Sequence, residues 1–195
     1  MNLDYLIVGA GPAGLACAIE AEKKGLNYLV VDKGCVVDSI YRFPADLVFF
    51  STPDLVQIGD LVFISPSFRP TRMEVLKYYL AVVEHYGLKI NTYEKVESIA
   101  PNENGFSVKT TSHTGHTHAY NPKKVIVAIG YYDNPNMLGI EGEDLPKVSH
   151  YYTEAHPYNG QDVVIIGAKN SAVEAALLFS RTGARVTLVH RGPAI

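Results

Sequence analysis

The sequence predicts an α/β fold: two units that each run strand, glycine turn, helix, strand, with a β-meander inserted after the first and the second left incomplete. Three observations carry this. An apolar run over residues 5–8 leads directly into Gly9, Gly11 and Gly14, and then into a helical pattern. The same punctuation returns 158 positions later (167 − 9): Gly9 maps to Gly167, Gly14 to Ala172, Gly25 to Gly183, Asp32 to His190, Lys33 to Arg191 and Gly34 to Gly192, with no gap. Between the copies, residues 88–120 show strand-like alternation. Repetition of a whole strand–turn–helix–strand pattern in register marks two copies of one supersecondary unit.

The glycine spacing has a physical reading. Gly9 permits the tight strand-to-helix turn. Gly11, without a Cβ, lets a pyrophosphate approach the backbone. Gly14 lets the helix pack closely on the strand. The helix N-terminus then offers N–H groups and a partial positive charge to phosphate. This is the cradle of a Rossmann-like dinucleotide-binding unit, and both units together predict an FAD/NAD(P)-binding domain fold.

The elements follow in order. Residues 12–24 read as a helix, with Pro12 suited to its first turn, Leu15, Ala16, Ala18 and Ile19 as its apolar face, and Gly25 ending it. Residues 28–31 are a second strand closing on Asp32, which stands 23 positions after Gly9 (32 − 9). That is the place of the carboxylate that accepts hydrogen bonds from the adenosine ribose. Residues 34–70 are irregular. The aromatics Tyr41, Phe43, Phe49 and Phe50 there suit core packing and also the wall of a flat cofactor. Thr71 and Glu74 form a capping box that starts a helix running to about residue 86. In the β region, Phe106, Val108 and Thr110 alternate with polar residues. His113, His116 and His118 flank Thr114-Gly115, and a hairpin turn suits this spacing better than a metal site. Residues 124–128 are a further strand ending at Gly130. The stretch 139–160 reads as a linker between an FAD-binding domain over 1–138 and the start of an NADPH-binding domain over 161–195. The latter holds a strand over 162–166, the turn Gly167-Ala168-Lys169-Asn170-Ser171-Ala172, a helical run over 173–181 and a strand over 186–189.

Composition narrows the class. The chain has 195 residues, 47% of them hydrophobic, enough for a real core. A net charge of −3 gives no reason to expect nucleic acid or an anionic membrane as partner. Two cysteines, Cys17 and Cys35, make no disulfide framework and suit a reducing compartment. With no leader pattern and no apolar run long enough to span a bilayer, the expectation is a cytoplasmic protein.

Two differences between the copies assign them. The acid after the first copy favours an ADP moiety with free ribose hydroxyls. His190-Arg191 after the second favours a 2′-phosphate, which a carboxylate would repel and a guanidinium would bind. The first site therefore suits FAD and the second NADPH. Lys169 stands where the second glycine would be. It adds a Cβ near the pyrophosphate path and also an ammonium that could pair with phosphate.

These features resemble the two-domain FAD/NAD(P)-binding flavoproteins and, more closely, the YpdA family of bacillithiol disulfide reductases related to thioredoxin reductase. The resemblance lies in residues 4–14, 31–34, 37–41, 70–72, 76–79, 125–136 and 167–176. It implies that Gly9, Gly11, Pro12, Ala13 and Gly14 hold the FAD pyrophosphate, that Asp32 and Lys33 hold its adenosine, and that Gly130 closes the strand passing the flavin. It further implies that Gly167, Lys169, Asn170 and Ser171 meet NADPH, with His190 and Arg191 at the 2′-phosphate. Hydride would pass from NADPH to FAD and on to a low-molecular-weight disulfide or other small acceptor, in a protein of a family that typically dimerises. The chain departs from that family at Ala13, where its members carry a cysteine, and no Cys-x-x-Cys precedes the second glycine turn, so no thiol relay runs through either place. The chain also stops at the second strand of the second unit, which makes a nucleotide-binding remnant one alternative. The Asn170-Ser171-Ala172 motif and the lead-in with His150 and His156 make a flavin monooxygenase the other.

Overall fold

The computed structural model describes residues 2–192. The chain divides into two compact units, Met1–Val148 and Ser149–Ile195, and the division falls inside the stretch 139–160.

The first unit is built on a six-stranded sheet in the order β3-β2-β1-β6-β5-β4. Strands β1 (Asn2–Val8), β2 (Tyr28–Val31), β3 (Ile90–Asn91) and the second half of β6 (Thr117–Val127) run parallel. The first half of β6 pairs antiparallel with β5 (Gly105–Ser112), which pairs with β4 (Glu94–Asn102). The separate strand expected over 124–128 is therefore the end of one long strand. Its changeover falls at Tyr120-Asn121-Pro122: Tyr120 pairs with Val108 of β5, and Asn121 and Pro122 pair with Asn2 and Leu3 of β1. Pro122 has no N–H and sits where one ladder gives way to the other, a position proline tolerates.

Period-two alternation sends neighbouring side chains to opposite faces. Tyr28 and Val30 of β2, with Ile7 of β1, join Leu15, Ile19, Val75, Tyr78 and Val82 in the core under helices α1 (Pro12–Lys23) and α4 (Arg72–Tyr86). Leu6 and Val31 face the other way and meet Val108 and Tyr120 of the meander. The Thr71 capping box is formed in both directions. The irregular stretch contains two single-turn helices, α2 (Asp38–Tyr41) and α3 (Pro53–Val56). These are too short to show a period in sequence. Phe43 and Phe49 are half-buried, with ring centroids 6.2 Å apart, while Tyr41 and Phe50 are exposed, so the aromatic passage splits between core and surface.

The second unit pairs β7 (Asp162–Ile166) with β8 (Arg185–Val189) in parallel, under helix α5 (Asn170–Arg181). Phe179 of α5 packs between Tyr152 and Tyr158, at centroid distances of 5.0 and 4.7 Å. Helix α5 starts at Asn170, three residues before the apolar run that marked it. Among the described residues no helix is long and apolar enough to cross a membrane.

Candidate functional site

The two glycine turns have the same backbone form. Gly9 and Gly167 both take positive φ, 109° and 138°. Gly11 and Lys169 are the N-caps of α1 and α5, at φ −76°, ψ 177° and φ −85°, ψ 173°. Any residue adopts that extended conformation, so Gly11 is not needed for its dihedrals. A Cβ on Gly11 would meet nothing within 4 Å. The open space above it is what a phosphate needs to reach the first-turn N–H groups of α1, which lack intrahelical acceptors, and no side chain caps this end. A Cβ on Gly14 would lie 1.9 Å from the Gly9 carbonyl oxygen, and one on Gly9 would lie 2.4 Å from the Ala128 carbonyl oxygen. Helix, turn and the end of β6 are thus wedged together around one open position. Pro12 and Ala13 sit exposed beside it. A pyrophosphate group fits these residues.

The crevice lies at the carboxyl ends of the strands where the chain switches sides: from β1 it passes to β2 and β3, and it returns on the other flank as β6. Open α/β sheets bind ligands at that place.

Asp32 closes this crevice on the β2 side. Its Oδ2 accepts from the Ala10 N–H at 2.6 Å and its Oδ1 from the Gly34 N–H at 2.8 Å. The carboxylate read as a ribose acceptor is first a clamp on the glycine turn. Each oxygen keeps a further lone-pair site for a ribose hydroxyl. The two roles separate by experiment: Asp32→Ala should lower stability by about 1–3 kcal/mol through orphaned backbone donors with no nucleotide present, read from thermal unfolding. An unchanged melting temperature would leave Asp32 with a ligand role alone.

Lys33 is exposed, and its Nζ is 2.5 Å from Asp133 Oδ2. Asp133 also holds the Arg42 guanidinium, whose Nε lies 2.8 Å from Asp38 Oδ2. The hydrogen bond from Lys33, then the one from Arg42, keeps the Asp133 carboxyl below its usual range. Lys33 and Arg42 line a groove of about 530 Å³ with Tyr93, Lys95 and His113. Gly130, at φ 63°, turns the chain out of β6 toward this cluster.

Behind the groove lies a buried carboxylate. Glu94, 4% exposed, accepts from Thr110 Oγ1 (2.5 Å) and Tyr120 OH (2.8 Å) at Oε1 and from Asn91 Nδ2 (2.9 Å) at Oε2. Burial, then the Glu94 bond, pushes the Tyr120 phenol up to about 12. The Glu94 N–H donates to the Asp32 carbonyl (2.7 Å), so this network also ties the β2 end to the meander.

Neither cysteine is poised for thiol chemistry. Cys17 packs against the main core. Cys35 donates to Asp38 Oδ1 at 3.6 Å, and burial, then the Asp38 charge, pushes its thiol up to about 11. His113 and His116 sit at the hairpin turn joining β5 and β6, where Ser112 N–H bonds to the His116 carbonyl. Among the described residues no group of three or more His, Cys, Asp or Glu is placed to hold a metal.

In the second unit, Lys169, Asn170, Ser171, His190 and Arg191 are all exposed. Lys169 takes the Gly11 conformation without strain. Ala172 stands where the first unit has Gly14, and its Cβ lies 3.3 Å from where a Cβ on Gly167 would be. This turn has room for the methyl that the first turn excludes.

Arg42, Asp133 and Glu94 had no part in the site as read from sequence. Arg42 and Asp133 stand 91 positions apart, and Glu94 reads as one more polar residue in an alternating strand.

Comparison with known proteins agrees with this architecture. The family profile described as pyridine nucleotide-disulphide oxidoreductase matches residues 6–195. Bacilliredoxin reductase Bdr of Bacillus subtilis (strain 168) is 45% identical over 187 residues, which cover 96% of this chain and 56% of that protein. The structure of bacillithiol disulfide reductase Bdr (YpdA) from Bacillus cereus superposes with a TM-score of 0.96 at 44% identity, covering 100% of this chain and 61% of that one. A flavin-containing monooxygenase from Stenotrophomonas maltophilia, at 21% identity and a TM-score of 0.82 over 100% of this chain and 59% of that one, shares the fold. The chain thus spans about half the length of the curated relatives it matches. With two dinucleotide-type turns of one backbone form and a family profile that runs almost end to end, this chain belongs to the pyridine nucleotide-disulphide oxidoreductases.

Proposed function

We propose that this chain carries the FAD cradle and the opening of the NADPH-binding unit of a cytoplasmic NADPH-dependent flavoprotein that reduces a low-molecular-weight disulfide. The carrying observation is the duplicated turn: one backbone form twice, followed by an acid in the first unit and by His190-Arg191 in the second. Gly9, Gly11, Pro12, Ala13 and Gly14 seat the FAD pyrophosphate on α1, with Asp32 and Lys33 on the adenosine side and Gly130 at the end of β6. Gly167, Lys169, Asn170 and Ser171 seat the NADPH pyrophosphate, and His190 and Arg191 take its 2′-phosphate. Acceptance of hydride from a nicotinamide and delivery of two electrons onward is the chemistry a flavin supplies at such a site. The balance is NADPH, one proton and a disulfide giving NADP⁺ and two thiols.

The disulfide class rests on the family description and on the bacillithiol disulfide for which the similar B. cereus reductase is named. No step is assigned to a protein thiol, because Ala13 has none and the Cys35 thiol is held protonated. The flavin monooxygenase likeness, at 21% identity, supports a shared fold and no shared reaction.

The test is the absorbance of purified chain after addition of FAD and gel filtration, then anaerobic addition of NADPH. A retained flavin band that bleaches supports both cofactor assignments. A colourless chain sinks the FAD assignment, and a retained band that does not bleach sinks the NADPH assignment for this polypeptide.

A further inference from the structure

The sheet register sets the carboxyl ends of three strands level: Val8 of β1 stands opposite Val31 of β2 on one side and Val127 of β6 on the other. Strands pack about 4.8 Å apart, so β2 and β6 are separated by about 10 Å with the Gly9 turn between them. Contacts from two consecutive residues of the loop after β6 bridge that gap. Asp133 pairs with Lys33, just beyond β2, and with Arg42, at the end of α2. The Tyr132 hydroxyl donates to the Arg42 carbonyl at 3.3 Å, and its ring meets Phe43 edge-on at 5.0 Å. The loop therefore crosses the end of β1, where the Gly9 turn begins.

We propose that Asp133 is a positioning residue that latches this loop across the crevice through Lys33 and Arg42 and so sets how fast a dinucleotide leaves. The proposal rests on the reading of the first unit as the FAD site. Lys33 and Arg42 are 52% and 39% exposed at their side chains and Asp133 28%, so the latch is partly screened and can open. Other acids lie nearby, and Glu97, which lines the same groove, pairs with Lys95. Asp38 shares Arg42, and Asp32 is committed to backbone N–H groups. Among the described residues, Asp133 alone joins the end of β6 to both cations.

The sign of the effect separates a latch from simple charge. FAD is an anion, so removing a nearby carboxylate by electrostatics alone would slow its dissociation. Loss of a latch speeds it. Stopped-flow measurement of FAD release, read by recovery of flavin fluorescence, should show Asp133→Asn releasing about tenfold faster than wild type, the scale expected for two half-exposed ion pairs, and Asp133→Glu remaining slow. Release that is unchanged or slower in Asp133→Asn overturns the latch. Hydrogen exchange of the unliganded chain gives an independent reading. The Asn134 amide, bonded to the Tyr131 carbonyl at 3.1 Å, should lose protection in Asp133→Asn, and equal protection overturns the latch whether or not FAD binds. A wild-type chain that retains no FAD removes the FAD reading, and the control of release with it, while the exchange result still decides whether Asp133 holds the loop.

Discussion

Gly14→Ala should abolish FAD retention and lower stability by about 3 kcal/mol, the upper end of the usual range for overpacking. The added Cβ would lie 1.9 Å from the Gly9 carbonyl oxygen and 3.0 Å from the Gly9 carbonyl carbon. Both are backbone atoms of a turn already wedged against Ala128, so no side chain can swing aside to make room. Helix α1 has to move off β1, and its N-terminal amides move with it, away from the open position over Gly11. At this chain length about 3 kcal/mol corresponds to a fall in melting temperature of about 6–12 °C. The second unit supplies the control. Ala172 occupies the equivalent position there, so Ala172→Gly should shift stability by no more than about 1 kcal/mol. A Gly14→Ala chain that melts like wild type and keeps its flavin would show that close helix–strand contact is not what the glycine provides.

Glu94→Ala should lower stability by about 3–5 kcal/mol, because each buried donor left unsatisfied costs about 1–3 kcal/mol. Thr110 Oγ1, Tyr120 OH and Asn91 Nδ2 all donate to this carboxylate. Its removal orphans three donors in a place that Thr110 and Tyr120 seal, at 1% and 6% exposure. Glu94→Gln keeps the shape but turns an NH₂ group toward donors, and should cost about 1–3 kcal/mol. The urea midpoint of the chain without nucleotide, followed by circular dichroism, gives both numbers. Equal midpoints for wild type and Glu94→Ala would show that water replaces the carboxylate at no cost. Because the backbone N–H of residue 94 bonds to the Asp32 carbonyl, a shift of the meander in the Ala variant carries to the end of β2, so this variant should also retain added FAD less well.

The elements that were legible in the sequence are those written by local chemistry. Glycine at the Gly9 turn, the Thr71–Glu74 capping box, the 28–31 strand closing on Asp32 and the in-register copy at Gly167 depend on neighbours a few positions away, and each stands where its spacing placed it. Elements too short for a period, α2 and α3, left no signal. The long strand β6 looked like two because the polar run Asn121-Pro122-Lys123-Lys124 interrupts its pattern where the ladder partner changes, and a continuous strand across that break leaves no local signal.

The sequence by itself determined that this protein has two dinucleotide-type turns, each between a strand and a helix, with an acid after one and His190-Arg191 after the other. Only the tertiary structure decided what the charged groups around the first turn do. Asp32 spends its carboxylate on the Ala10 and Gly34 amides, Asp133 reaches across the end of β1 to Lys33 and Arg42, and Glu94 is buried among three donors. The reason is physical. Backbone conformation and periodicity are set within a few residues, whereas a charged side chain finds its partner wherever the sheet order brings another strand's end, here 91 residues away in the chain for Arg42 and Asp133.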